Sequence, residues 1–232
     1  NGTNEKVKLQ ITCPYQSCYT YLISDRGAYD TFPLTAGNGS YALQVLENVA
    51  GDTYTVSLAQ SINVNIEDEF LPFLYPNQYV NFHTDSKAVS KGSDLAKDTY
   101  SDLDVVQNIY NYVIKNISYD TEKAQNVSYG YVPDIDDTLS SKKGICFDYA
   151  ALMASMLRSQ NIPTKLEVGY SGDAYHAWIS TYIDDKGWVD DIIQFNGDTW
   201  QIMDPTLAAT NDSAAVKKYI GDGSHYVVKY TY

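Results

Sequence analysis

The chain has 232 residues, of which 44% are hydrophobic and 19% charged, so it can bury one large core or two smaller ones. Its 16 basic and 29 acidic residues give a net charge of -13, which argues against binding to a nucleic-acid backbone, because that requires clustered Lys and Arg. No stretch approaches the roughly 18 consecutive apolar residues of a membrane-spanning helix, so we expect a protein that is not transmembrane.

Residues 1–66 carry the alternating pattern of β-strands. Val7, Leu9 and Ile11 alternate with polar residues, and the runs YALQV (41–45) and TYTVSLA (53–59) repeat the pattern. A period of two marks strands with one buried face, and ENVAGD between the last two runs predicts a hairpin loop. We expect a small all-β, antiparallel, sandwich-like domain that serves as a spacer or a binding module.

Two of the three cysteines, Cys13 and Cys18, lie five residues apart across the turn-forming stretch CPYQSC. They would form a small disulfide in an oxidising compartment and stay free otherwise, and the spacing leaves both open. In either case the third cysteine, Cys146, is left without a partner in the sequence and calls for an explanation of its own.

Tyrosine is unusually abundant, with 22 residues against 6 Phe. A tyrosine ring is apolar with a polar end, so it suits half-exposed sheets as well as grooves that hold peptides or glycans. Thin β-layers would explain the count equally well. One hypothesis is that the N-terminal domain binds cell wall or glycan through its tyrosines.

From residue 67 the pattern changes. EDEFLPFLYPNQYV contains two prolines and no clean period, so residues 67–90 are predicted to be an extended, packed linker before a domain over 91–232. Ser101 and Asp104 then form a capping pattern that predicts the start of a helix. The apolar residues of this helix recur at steps of three and four: Leu103, Val106, Tyr110, Val113 and Ile117.

Residues 126–141 contain Gly130, Pro133, three aspartates and three serines, and are predicted to be a loop. A helix bearing Cys146 follows and is prevented from continuing by Pro163. Strands are predicted at 164–170, 176–183 and 199–203. The order of these elements indicates an α+β domain in which the Cys-bearing helix packs on an antiparallel sheet.

Three polar residues lie where a thiol enzyme would need them. Cys146 opens its helix, whose N-terminus is equivalent to about half a positive charge and favours a thiolate. His176 begins a strand, and Asp204 ends one directly before Pro205, so each would lie at a sheet edge. Taken singly, each has an ordinary interpretation as a core thiol, a polar strand residue and a turn former.

Taken in order, these stretches resemble the transglutaminase-like superfamily of papain-type thiol enzymes. The resemblance covers roughly residues 86–210 and is carried by GICFDYAALMASMLRSQNIPTKLEVGY, HAWI, WQIMDPT and the preceding helix DVVQNIYNYVIKNISYD. It implies a papain-like core in which Cys146 is the nucleophile, His176 the general base and acid, and Asp204 the residue that orients His176. The resemblance departs at Asn161, where the family often has Gly before Ile-Pro.

The resemblance also implies an oxyanion site. The backbone N–H of Cys146 would supply one donor, and family members use a second, side-chain donor from upstream. Tyr119 is the candidate for that donor, although it would also fit as a residue that merely packs after the helix. No cofactor and no metal site are predicted, because the carboxylates at 134–137 and 189–191 lack the spacing of a calcium loop.

The acid that orients His176 is predicted from strand direction. If the strand at 199–203 ran antiparallel beside 176–183, its C-terminal end, and hence Asp204, would lie at the same sheet edge as His176. This requires residues 184–198 to be an excursion rather than an inserted strand. Asp190 and Asp191 are the rival candidates.

The leading functional hypothesis is thiol-dependent acyl transfer or hydrolysis on amide bonds of a protein, peptide or cell-wall peptide. Water as the acceptor gives a peptidase or deamidase, and an amine gives cross-linking. The alternative is a non-catalytic cell-surface binding module with a vestigial triad. A short β domain ahead of such a core is familiar in secreted bacterial members, so the resemblance implies an extracellular or cell-surface location.

Overall fold

A computed structural model describes residues 6–15, 17–23, 29–171, 173–184, 186–189, 193–195, 200–202 and 226–232. The chain divides into two compact units, Asn1–Pro72 and Phe73–Tyr232. Among the described residues, every α-helix lies in the second unit, in agreement with the change of sequence pattern between the two halves.

The first unit is built on a four-stranded antiparallel sheet with the order β2-β1-β3-β4. Alternating residues of these strands form its core, in which Ile11, Tyr21 and Tyr41 are buried. The prediction of an all-β domain is confirmed, and the described strands of this unit all belong to this one sheet. The strands are β1 (Val7–Thr12), β2 (Cys18–Ile23), β3 (Gly39–Ala50) and β4 (Thr53–Val64).

The turn between β3 and β4 is tighter than the sequence pattern indicated. The β3–β4 turn contains only Gly51 and Asp52, because the Asn48 amide donates to the carbonyls of Gly51 at 2.7 Å and Thr53 at 3.2 Å and lets pairing continue to Ala50. Gly51 has a φ of 52°, a conformation that glycine adopts without strain.

The turn between β1 and β2 carries the first two cysteines. It is closed by a hydrogen bond from the Cys13 N–H to the Ser17 carbonyl at 2.8 Å. Cys13 is buried and Cys18 exposed, and both are free thiols, so the structure favours the reduced alternative. Burial, followed by the nearby Cys18 thiol, raises the pKa of Cys13.

The second unit combines helices with an antiparallel sheet of order β12-β7-β8-β9. Its helices are α1 (Lys87–Ala96), α2 (Asp102–Asn116), α3 (Thr121–Asn126), α4 (Ile135–Ser141) and α5 (Cys146–Arg158). The strands of the sheet are β7 (Thr164–Ser171), β8 (Ala174–Ile183), β9 (Gly187–Val189) and β12 (Tyr226–Thr231). Two short ladders add β5 (Ser118–Tyr119) with β6 (Lys143–Gly144), and β10 (Ile193–Phe195) with β11 (Trp200–Ile202).

The α5 helix is the centre of this unit. It contacts β7 and β8 on one side and α1, α2 and α4 on others, which explains why it is apolar nearly all round. A Cβ on Gly92 of α1 would lie 3.1 Å from the Met156 carbonyl, so the glycine permits the two helices to cross closely. The predicted α+β architecture, with the Cys-bearing helix packed on an antiparallel sheet, is confirmed.

Two local sequence signals are confirmed. The Ser101 hydroxyl accepts a hydrogen bond from the Asp104 N–H at 3.2 Å and so caps the start of α2. Asn161, after the end of α5, has a φ of 63°, the left-handed conformation that Asn tolerates.

The loop predicted over 126–141 is wrong in its second half, because α4 occupies Ile135–Ser141. Two of the three aspartates that favoured a loop cap helices. Asp134 accepts from the N–H groups of Asp136 and Asp137, and thereby caps α4. Asp136 in turn accepts from the N–H groups of Lys87 and Ala88 at the start of α1.

The expected pairing of the last predicted strand is also wrong. Within the described residues, β11 pairs with β10, and β9 pairs with the last three residues of β8, where Thr181 faces Val189. β8 and β9 are consecutive in the chain, and consecutive strands usually lie beside each other. The argument that brought Asp204 to the edge of His176 by direct pairing therefore does not hold.

Candidate active site

Cys146 is the first residue of α5 and is a partly exposed, free thiol. The residue two positions earlier must be glycine, because a Cβ on Gly144 would lie 2.7 Å from the Asp148 Cβ. Asp148 comes this close because its Oδ2 accepts a hydrogen bond from the Ile145 N–H at 2.8 Å. The Gly-Ile-Cys-Phe-Asp sequence thus folds into a capped helix start with the thiol on its first turn.

Asp148 is completely buried and holds two further groups. Its Oδ2 is paired with the Lys123 ammonium at 2.7 Å, and its Oδ1 accepts from the Tyr131 hydroxyl at 2.5 Å. Lys123 also donates to the Tyr131 oxygen at 2.5 Å. This cluster, Lys123–Tyr131–Asp148, ties α3 and the segment before α4 to the N-terminus of the Cys-bearing helix.

The cluster changes the titration of its members. Burial, followed by the hydrogen bond to Asp148, raises the pKa of Tyr131 to about 12. Burial alone would lower the pKa of Lys123, but the hydrogen bonds to Asp148 and Tyr131 outweigh it and raise that pKa. Sequence reasoning missed all three residues. Asp148, three residues after a helix N-cap, was the one with a local signal.

Tyr119 lies beside the start of the Cys-bearing helix. The parallel ladder of β5 and β6 sets Tyr119 opposite Gly144, and the Asp120 N–H donates to the Gly144 carbonyl at 2.9 Å. Burial, followed by the nearby Tyr119, raises the pKa of Tyr149, so the two phenols are close to each other. This neighbourhood is compatible with a donor role for Tyr119 and equally with packing.

Tyr175, near the start of β8, lies near the thiol at the start of α5. Burial raises the pKa of Tyr175, and the neighbouring Tyr230, Tyr170 and the Cys146 thiol add to that rise, so Tyr175 is near the thiol. His176 is the next residue, the third of β8, and faces Gly169 of β7. The Cys-bearing helix α5 packs directly against β8, the strand that carries His176.

Aromatic side chains are next to both Cys146 and His176 in the sequence and pack against other rings. Phe147 lies 5.3 Å from Tyr79 and 6.5 Å from Tyr131 between ring centroids, and Tyr170 lies 5.5 Å from Tyr175. Tyr175 is 59% exposed, so this part of the surface presents an aromatic ring to solvent. Part of the tyrosine abundance is therefore concentrated beside Cys146, which the sequence count alone did not indicate.

The remaining predicted site residues cannot be located in the same way. Asp204 and its rivals Asp190 and Asp191 all lie outside the described residues. Across the described ranges, no cluster of three or more His, Cys, Asp or Glu side chains is arranged to hold a metal ion. No helix among the described residues is long and apolar enough to cross a membrane.

Comparisons with known proteins give the following. Residues 90–190 match the family model of the transglutaminase-like superfamily. UPF0252 protein MJ1282 of Methanocaldococcus jannaschii is 30% identical over 118 residues, which cover 44% of this chain and 34% of that protein. Kyphoscoliosis peptidase of Mus musculus is 30% identical over 107 residues, which cover 40% of this chain and 16% of the mouse protein.

The aligned stretches thus span about a third of the archaeal protein and about a sixth of the mouse protein. Among solved structures, the periplasmic domain of TgpA from Pseudomonas aeruginosa is 13% identical, covers 90% of each chain and has a TM-score of 0.46. The family match includes the helix that begins at Cys146 and the strand that carries His176. Residues 90–190 of the chain are thus similar to the transglutaminase-like superfamily.

Proposed function

We propose that the protein is a thiol enzyme that transfers acyl groups from amide bonds of a protein, peptide or cell-wall peptide through Cys146, His176 and Asp204. The observation that carries this proposal is the packing of two elements inside the region that matches the family model. Cys146 opens α5, and α5 packs against β8, the strand that bears His176. A nucleophile and a base within reach of each other are the minimum for nucleophilic catalysis.

In the proposed first step, His176 takes the proton of Cys146 and the thiolate attacks the carbonyl carbon of the amide. The carbonyl oxygen becomes an oxyanion, which the backbone N–H of Cys146 stabilises, with Tyr119 as the candidate second donor. The C–N bond then breaks, and the leaving amine takes the proton from His176. The product of this half-reaction is a thioester on Cys146.

The second step returns the free thiol. His176 removes a proton from a water molecule or an amine, which attacks the thioester carbon, and the C–S bond breaks with the proton passing back to sulfur. Water gives hydrolysis and an amine gives a new amide bond. Asp204 would hold the imidazole in the tautomer that accepts the proton of the thiol. Neither step uses a cofactor or a metal ion.

Two features of the site support this chemistry. The capped helix start fixes Cys146 at the end of a rigid, buried helix, which keeps the thiol in one place. The aromatic rings beside it, including Tyr175, offer a surface on which a polypeptide could lie. We propose that the substrate is met outside the cell or at its surface, as in the secreted members that the sequence resembles.

The chain contains its own control for the test, because Cys18 is an exposed free thiol in the first unit. Iodoacetamide is added near pH 6, where an ordinary thiol of pKa about 8.5 is almost wholly protonated, and the alkylation of each cysteine is followed by peptide mass spectrometry. We expect Cys146 to react much faster than Cys18, and the His176→Ala variant to lose this excess. Equal rates at the two cysteines would contradict the enzyme and favour the alternative, a non-catalytic cell-surface binding module.

A further inference from the structure

A buried carboxylate lies in the sheet next to the strand of His176. Glu167 of β7 is 7% exposed and faces Trp178 of β8. Its Oε2 accepts two hydrogen bonds, from the Trp178 indole N–H at 3.0 Å and from the Ser180 hydroxyl at 2.6 Å. The three side chains therefore share one face of the sheet.

The presence of a carboxylate at this buried position calls for a physical explanation. Burying a charge is costly unless the charge is well hydrogen-bonded, and an apolar side chain at position 167 would fill the space without that cost. In return, hydrogen bonds to a charged acceptor are roughly twice as strong as those between neutral groups. A carboxylate here holds the indole of Trp178 in one orientation more firmly than packing alone.

The indole is the neighbour of the proposed base. His176 and Trp178 are two residues apart on β8, so they project to the same face, and their rings are 6.3 Å apart with an angle of 29° between their planes. Stacked aromatic pairs are favourable at separations of about 4.5–7 Å. The orientation of the indole thus limits the orientations that are open to the imidazole.

The indole of Trp178 is also contacted by β12. Gly169, which faces His176 across the strands, leaves room for β12, because a Cβ there would lie 2.0 Å from the Val227 carbonyl oxygen. This close approach brings the Tyr226 ring edge-on to Trp178, with centroids 4.9 Å apart and planes at 78°. Trp178, which is 2% exposed, is therefore held by Glu167, by Tyr226 and by the stack with His176.

We propose that Glu167 is a positioning residue for His176 and acts through Trp178. Glu167 fixes the indole, the indole fixes the plane of the imidazole, and the imidazole is thereby kept ready to exchange a proton with Cys146. This inference rests on the proposed function for its catalytic consequence. The mechanical part, from Glu167 to His176, is a separate claim with its own readout.

The test uses the full chain and the variants Glu167→Gln, Trp178→Phe and the double variant, with Glu69→Gln as the control because Glu69 is an exposed glutamate of the first unit. The first readout is the ¹³C-edited NMR resonance of the imidazole of His176, assigned with His176→Gln. The second is the rate at which iodoacetamide alkylates Cys146 in excess of Cys18. Trp178→Phe keeps an aromatic ring but removes the N–H that Glu167 binds.

We expect Glu167→Gln and Trp178→Phe each to move or broaden the His176 resonance and to lower the excess rate by roughly 10-fold to 100-fold, the cost of a small misplacement of a catalytic group. The double variant should be no worse than Trp178→Phe, because Glu167 acts through the indole N–H. Glu69→Gln should match the wild type. Additive losses in the double variant, or an unchanged His176 resonance in Glu167→Gln, would overturn the proposal.

Two further outcomes are distinguishable. If the wild type shows no excess rate that depends on His176, the proposed function fails, and the NMR readout alone decides whether Glu167 orients the imidazole. If Glu167→Gln does not fold, Ser180→Ala replaces it, because it removes one described donor, the Ser180 hydroxyl, and keeps the Glu167 side chain in place. A His176 resonance that is unchanged in both Ser180→Ala and Trp178→Phe then overturns the inference.

Discussion

The Oδ2 atom of Asp148 accepts the backbone N–H of Ile145 at 2.8 Å, and so closes the first turn of the helix that begins at Cys146. The same carboxylate is paired with Lys123, which comes from another helix. The position of the thiol therefore depends on contacts outside its own helix. Substitutions at these contacts should change the position of the thiol.

Asp148→Asn tests this dependence. The amide keeps the shape of the side chain but leaves Lys123 without its counter-charge at a site where the carboxylate was wholly buried. Because Lys123 is partly exposed and can be solvated, we expect a loss of about 2–3 kcal/mol in the free energy of unfolding, at the lower end for a broken buried pair. Urea unfolding followed by tryptophan fluorescence measures it, and Asp94→Asn, which breaks an exposed pair with Lys97, is the control.

A loss of less than about 0.5 kcal/mol in Asp148→Asn, equal to that of the surface control, would contradict this prediction. The second consequence concerns the site. If Asp148 holds the start of α5, the variant should also reduce the excess reactivity of Cys146 over Cys18 in material that is still folded.

The pKa of Tyr131 predicts how stability depends on alkaline pH. Burial and Asp148 raise this pKa from 10.0 to about 12, so the folded state favours the neutral phenol. The resulting stability is fully present below pH 10, the pKa of the unfolded chain, and is lost as the pH rises through 12. Unfolding free energies measured by urea titration at a series of pH values in that window should fall.

Tyr79 contributes in the same direction, because burial, with Tyr129 and Tyr175 nearby, raises its pKa to about 12 as well. Tyr131→Phe should therefore make the alkaline fall shallower without abolishing it. A fall of unchanged steepness in Tyr131→Phe would show that the phenol is not the group responsible.

Arg158, the last residue of α5, is a second point at which distant segments are held together. It is 3% exposed and donates to three backbone carbonyls, those of Tyr75, Thr164 and Tyr232, at 2.7–2.8 Å. Arg158→Lys should cost about 3 kcal/mol in the free energy of unfolding, since a single ammonium cannot reach all three acceptors and each buried carbonyl left unpaired costs about 1–3 kcal/mol.

Thermal and urea unfolding of Arg158→Lys measure this cost, with Lys97→Arg at an exposed position as the matched control in the opposite direction. A variant as stable as the wild type would mean that the three carbonyls find other donors.

The assignment of Asp204 as the acid that orients His176 is a prediction from the sequence resemblance. Asp204→Ala should lower the His176-dependent alkylation of Cys146 more than Asp190→Ala or Asp191→Ala do, by a factor on the order of 10² or more. Rates measured for the three variants side by side decide among the candidates. The largest loss in Asp190→Ala or Asp191→Ala would move the role to that residue.

Much of the fold could be predicted because its signals are local. Alternation predicted β1, β3 and β4, and Ser101 with Asp104 predicted the start of α2, because strand faces and helix caps depend on neighbours within a few residues. The thiol at a helix start was found for the same reason. The pairing of Cys146 with His176 stays a prediction, made because the order of their motifs resembles a known family.

The parts that sequence reasoning missed depend on contacts between distant residues. The aspartates at 134–137 indicated a loop because part of their capping role depends on a distant segment. Asp136 caps α1, which begins about fifty residues earlier in the chain. The pairing of β11 with β10, and of β9 with the end of β8, depends on contacts between separate segments of the chain. Lys123 and Tyr131 meet Asp148 only in the folded chain, and no local pattern marks either of them.

The central claim is that Cys146 is a nucleophile activated by His176, and its most direct test is a burst experiment with p-nitrophenyl acetate. Attack by the thiolate would transfer the acetyl group to sulfur and release p-nitrophenolate, which is measured by its absorbance, while intact and peptide mass spectrometry locate the acetyl group. We predict a burst that approaches one equivalent of nitrophenolate, with acetyl on Cys146 and not on Cys18, and no burst in His176→Ala. Acetylation of Cys146 and Cys18 at the same slow rate, unchanged in His176→Ala, would contradict the claim.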